Sequence, residues 1–172
     1  MLKIAGFILC VAGSTGYGWV QIKNWKRILY EIKIWITLFQ KIKSCILYQK
    51  ETLESGCIRI GEKEESGQGR ILLNIGRRAC EERQREFSLI WQEEIGTWCK
   101  KNGIPEKTGQ LLMQFPEYMK EADEQLQMEL FSIYMEEMHT EEKNMEQKLR
   151  EQQKPVMAVS LVVGLMLSIL LV

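Results

Sequence analysis

Side chains able to do chemistry are sparse in this chain, and none sits in the pattern that chemistry requires. His139, the one histidine, stands among Glu136, Glu137, Glu141 and Glu142. An imidazole beside carboxylates can hold a divalent cation or act as a general base, but both roles need groups converging from other elements. On a helix these carboxylates share a solvated face, so His139 reads as an exposed residue. The cysteines, Cys10, Cys45, Cys57, Cys80 and Cys99, are odd in number and contain no Cys-x-x-Cys pair. Neither a disulfide framework nor a zinc site is expected from that spacing. They read as free thiols in a reducing compartment, packing as small apolar side chains. Gly67 and Gly69 form a Gly-x-Gly, but no apolar strand precedes it and no Lys-Ser or Lys-Thr follows, which argues against a phosphate loop. With no nucleophile elbow either, a hydrolase or phosphatase is disfavoured, and the expectation is a protein with no catalytic, cofactor-binding or metal-binding residues. Basic residues are not interleaved with stacking aromatics, so nucleic acid is not an expected partner.

The elements that carry these residues are set out by charge. The formal charges cancel, yet none lies between Ile4 and Ile22 or between Val156 and Val172. At 172 residues the chain has room for one soluble module between two apolar ends. Residues 156–172, VMAVSLVVGLMLSILLV, would run about 26 Å as a helix, close to a hydrocarbon core of about 30 Å. Lys154 and Pro155 mark the entry to this expected C-terminal transmembrane helix, 155–172. The N-terminal run, IAGFILCVAGSTGYGWVQI, is diluted by Gly6, Gly13, Gly16 and Gly18, and a cleavable signal peptide competes with a membrane anchor over 1–22. Lys23, Lys26, Arg27, Lys33, Lys41, Lys43 and Lys50 follow it against only Glu31. Lys- and Arg-rich flanks stay cytoplasmic, so a retained anchor is favoured, with residues 23–154 inside the cell. An exported, membrane-tethered helical adaptor or regulator is the alternative. Impermeant thiol labelling of Cys57 or Cys99 on intact cells would separate the two.

The middle reads as all-α, an antiparallel bundle of about six helices held between the two membrane helices. From Ile22 to about Gln49, Trp25, Ile28, Leu29, Ile32, Trp35, Ile36, Phe39, Ile42 and Ile46 recur at three- and four-residue steps, with Ile34 and Leu38 widening the stripe. That pattern predicts one long helix, continuous with the first anchor and central in the bundle. Short helices are expected over Thr52 to about Ile60, Arg70 to Arg85, Glu86 to Lys101 and Ile104 to Met119, with a linker at Glu64–Gly69. Trp91 and Trp98, seven apart, share a face whose default role is core. The last helix, from about Lys120 to Lys154, carries Ala122, Leu126, Leu130, Ile133, Met138, Met145 and Leu149 as its apolar stripe. Residues 51–154 hold 22 acidic against 15 basic side chains, opposite the excess of six positive charges over 23–50.

With these features in view, the chain resembles the stage III sporulation protein AB family of endospore-forming bacteria. MLKIAG at the start and GLMLSILLV from Gly164 are similar to the family ends. Ile46, Tyr48 and Leu53 match in part an Ile-x-Tyr followed by a Thr-Pro-Leu-like turn, and Trp91 matches a tryptophan of the third quarter. In the most specific stretch this chain keeps Phe115, Asp123 and Gln127, while Pro116 and Lys120 replace two glycines, Cys45 an acidic residue and Thr52 a proline. The resemblance implies a structural part of a sporulation-specific, secretion-like channel between mother cell and forespore. It implies residence in the mother-cell membrane and a cytoplasmic module similar to the helical domain of type II secretion and type IV pilus platform proteins. Its implied partners are the other stage III channel proteins, among them a secretion-type ATPase, together with the membrane and other copies of itself. Trp91, Phe115, Asp123, Gln127 and Gly164 are the candidate interaction positions. Asp123 and Gln127 share one face of the last helix. There they either cap and pair locally or meet the ATPase or a neighbouring copy.

Overall fold

The computed structural model describes residues 2–119 and 123–171, with the side chains of 2–19, 124 and 152–171 excepted. Among the described residues it is all-α: α1 Leu2–Gln49, α2 Leu53–Lys63, α3 Gly67–Glu81, α4 Phe87–Asn102, α5 Glu106–Met113, a 3-10 turn Phe115–Met119, and α6 Glu124–Leu171. The chain forms two compact units. One comprises residues 1–30 and 143–172, and the other residues 31–142. In the first unit Ile22, Ile28 and Met145 are buried. The expected membrane helices at 1–22 and 155–172 lie almost wholly among residues outside the described side chains. Among the described residues no helix is long and apolar enough to cross a membrane.

Helix ends in the 31–142 unit are fixed by local chemistry. Thr52, in extended backbone, accepts from the Ser55 N–H at 3.3 Å and so begins α2. Ser66 does the same for α3, accepting from the Gly69 N–H at 3.1 Å. The expected linker over 64–69 is therefore shorter, because Gly67 and Gly69 already belong to α3. The reason is packing. A Cβ on Gly61 would lie 2.6 Å from the Leu73 nitrogen, and one on Gly76 2.8 Å from the Glu54 carbonyl oxygen. These glycines let α2 and α3 touch backbone to backbone. At the end of α4, Gly103 takes φ +63° while Ile104 N–H returns to Cys99 O at 3.0 Å, closing a left-handed cap. The helix expected over Ile104 to Met119 breaks into α5 and the 3-10 turn, with Pro116 inside the turn.

The core of this unit is built around α1. Ile32, Trp35, Ile36, Leu38, Phe39, Ile42, Cys45 and Leu47 are all buried, covering more than one side of the helix as its wide stripe predicts. Phe39 stacks on Phe115 with ring centroids 4.4 Å apart, and Trp35, Trp91 and Tyr134 close around the pair. Trp98, expected inside with them, is only partly covered, though its ring lies 5.5 Å from Trp35. The buried stripe of α6 also differs from expectation. Met138, and Met145 in the first unit, are buried as expected, but the rest of the buried stripe within 31–142 is Phe131, Tyr134 and Met135, whereas Leu126 and Ile133 face outward. Both sets obey the helical period, and the larger aromatic side chains remove more area from water.

Candidate functional site

The four candidate positions within 31–142 divide into a buried aromatic pair and a polar pair. Trp91 and Phe115 are fully buried, on α4 and the 3-10 turn, with rings 5.2 Å apart. Trp91 Nε1 donates to the Leu112 carbonyl at 3.0 Å, and Tyr134 Oη donates to Leu111 O at 3.2 Å. Two aromatic side chains thereby hold the end of α5 in place. Asp123 and Gln127 act nearby on the backbone. Asp123 Oδ1 accepts from the Leu126 N–H at 2.8 Å, capping α6, and Gln127 Nε2 donates to Met119 O at 2.8 Å, tying α6 to the 3-10 turn. So this stretch, with Pro116 buried in its 3-10 turn, is a fastening between α5 and α6. Gly164 lies outside the described side chains.

Polar constellations that the sequence did not reveal join the helices elsewhere. Glu141, buried on α6, accepts from Lys107 Nζ at 2.7 Å and from Thr108 Oγ1 at 3.0 Å on α5. No spacing rule could bring residues 33 positions apart together. Arg78 on α3 reaches Glu82 at 2.9 Å, Glu94 at 2.6 Å and Glu93 at 3.2 Å, and Arg85 pairs with Glu82 and Glu93. Hydrogen bonds from Arg78 hold the Glu82 carboxyl below the usual carboxylate range, and those from Arg85 do the same for Glu93.

The thiols sit apart from one another in character. Cys45, Cys57 and Cys99 are buried and Cys80 is exposed. Burial pushes the Cys57 thiol far up and Cys99 to about 11, so neither is a nucleophile at neutral pH. Arg59 donates to Cys45 Sγ at 2.7 Å and pairs with Glu51 at 3.1 Å. His139 is exposed and lies 3.2 Å from Glu142. Among the described residues no three His, Cys, Asp or Glu side chains converge into a group able to hold a metal ion.

Two open grooves flank α5 among the described residues. One of 760 Å³ runs between α4 and α5, over Gly96, Gly109, Cys99 and Met113, and is edged by Arg78 and Glu94. The other, of 500 Å³, lies between α5 and α6 over Leu111 and Ile133. A packed aromatic core with charged clasps and shallow grooves defines an all-helical bundle module. The sequence model of the stage III sporulation protein AB family matches residues 3–172, and the chain belongs to that family. Its role is accordingly one in sporulation. Neither a curated protein nor a solved structure matches the chain.

Proposed function

We propose that the protein is a non-catalytic structural component of a sporulation-specific, secretion-like channel complex. It scaffolds or couples a cytoplasmic secretion-type ATPase at the mother-cell membrane around the forespore. The reading rests on the family match, which runs over residues 3–172 and so includes both apolar ends and the bundle between them. The bundle suits such a role: its aromatic core fixes the relative positions of α1, α4 and α6, which a coupling element needs in order to transmit force rather than absorb it. Residues 23–154 face the cytoplasm on this reading, since the lysine-rich stretch after the first apolar run opposes export.

The test is recovery of the tagged full chain from membranes of sporulating cells after mild crosslinking. The expected result is co-purification with a secretion-type ATPase and other stage III channel proteins. Recovery of the folded, membrane-associated chain with none of these would overturn the proposal.

A further inference from the structure

From Leu126 to Met138, α6 carries two apolar faces, and the 31–142 unit buries one. Phe131, Tyr134, Met135 and Met138 enter the core. On the other side Leu126 and Ile133 are 42% and 44% exposed, with half-buried Leu130 between them. Positions 126, 130 and 133 follow the i, i+4, i+7 rule for neighbours along a helix surface. Ile133 then forms part of the floor of the α5–α6 groove together with Leu111. The apolar strip is thus continuous from the start of α6 into a concave site, the arrangement that marks docking surfaces rather than scattered surface hydrophobics.

The rim decides what chemistry fits. Glu136, Glu137 and Glu141 line the groove, and the one cationic side chain among its lining residues, Lys107, is held by Glu141 at 2.7 Å. Glu129 stands one turn before Ile133. An anionic surface, whether phosphate backbone or acidic lipid, would be repelled by this rim. A segment with apolar side chains on one face and lysine or arginine beside them complements both features. The chain does contain such a segment in α1, but its lysines within the same unit are engaged at home. Lys33 pairs with Glu142 at 3.5 Å, Lys41 with Glu64 at 2.6 Å, and Lys43 lies 4.7 Å over the Phe131 ring. A second copy would have to break these pairs to bring the same ammonium groups to the groove, which favours a different protein as the occupant.

We propose that the α5–α6 groove and the Leu126–Ile133 strip dock a cationic amphipathic helix of a different protein. From Leu126 to Glu137 the surface is about 16 Å long, which suits roughly three turns of the partner helix. The inference stands on the groove itself and holds whether or not the channel reading does.

The test uses the full chain in nanodiscs of neutral lipid, with empty nanodiscs as the background. The probe is a fluorescent leucine–lysine amphipathic peptide of about 14 residues, and its leucine–glutamate counterpart serves as the control. Anisotropy is expected to show binding of the lysine peptide above background and none of the glutamate peptide. Ile133→Glu, Leu126→Ser and the pair Glu136→Lys with Glu137→Lys should each weaken binding by about tenfold or more, with unchanged melting temperatures. Glu65→Lys, away from the groove at the start of α3, should leave binding unaltered. Equal binding by the parent and the folded groove variants overturns the proposal, as does binding no greater than to empty nanodiscs. Self-association of the chain that Ile133→Glu abolishes and the peptide cannot displace also overturns it, because a second copy would then be the occupant.

Discussion

Trp91 joins two kinds of interaction in one side chain, a ring packed against Phe39 and Phe115 and an indole N–H bonded to Leu112 O. Trp91→Ala should cost about 3 to 5 kcal/mol, measured by denaturant unfolding of the full chain. Trp91→Phe, which retains most of the ring, should cost clearly less. Equal losses would mean that the hydrogen bond dominates. Lys50 makes the opposite case, an exposed residue held at φ +54° where the backbone leaves α1, in a region that favours glycine. Lys50→Gly should raise stability by about 0.5 to 1 kcal/mol. A lower melting temperature for that variant would mean that the lysine side chain contributes more than its backbone costs. Asp123 and Gln127 show what a motif position can hide, for their hydrogen bonds go to the Leu126 N–H and the Met119 carbonyl and lock a turn.

Among the elements, α2 and α3 form a pair whose closeness depends on the lack of side chains. Alanine is the better helix former by about 1 kcal/mol, so propensity alone predicts that Gly61→Ala stabilises. Contact with Leu73 N and Gly69 O, both backbone atoms, reverses the sign, and a loss of about 1 to 3 kcal/mol is expected. Gly67→Ala meets nothing within 4 Å and should leave the melting temperature unchanged or slightly higher. The α3–α4 junction is held differently, by charge. Because Arg78 and Arg85 depress Glu82 and Glu93, the network's contribution is present at neutral pH and disappears as pH falls through the carboxylate range. Arg78→Ala should therefore lower the melting temperature at pH 7 and in low salt, with the gap from the parent closing on acidification and in concentrated salt. A gap independent of both would tie the loss to packing of the arginine stem.

How far these elements were legible follows from the same particulars. The run from Ile22 to Gln49 announces α1 because its stripe is long, and Thr52 and Gly103 are where helix-end chemistry predicts them. The α2–α3 seam was not legible, since Gly67 and Gly69 signal a loop when no partner helix is in view. On α6 the period and the burial of Met138 and Met145 were legible, whereas Leu126 and Ile133 stand outside and Phe131 and Tyr134 inside. Two apolar stripes share that helix, and only the aromatic pocket offered by α1 and the 3-10 turn selects Phe131 and Tyr134.

For the whole molecule, the proposed membrane residence makes orientation the property to test. Labelling of Cys57 or Cys99 cannot report it, as both are buried, but Cys80 is exposed. With the Cys10→Ser chain expressed in non-sporulating cells, whose membrane faces the medium, an impermeant maleimide should leave Cys80 unmodified on intact protoplasts and modify it after lysis. Modification of intact protoplasts would overturn the cytoplasmic assignment. The edge-to-face packing of Phe39 against a residue as late as Tyr134 has a further consequence, for synthesis. Roughly 95 residues separate the two, which a ribosome needs about 5 to 20 s to add. Throughout that interval α1 has been made and the helix that completes its aromatic pocket has not. The nascent chain therefore carries uncovered tryptophan and phenylalanine for seconds, and its yield in the cell depends on what shields that first helix until the last one emerges.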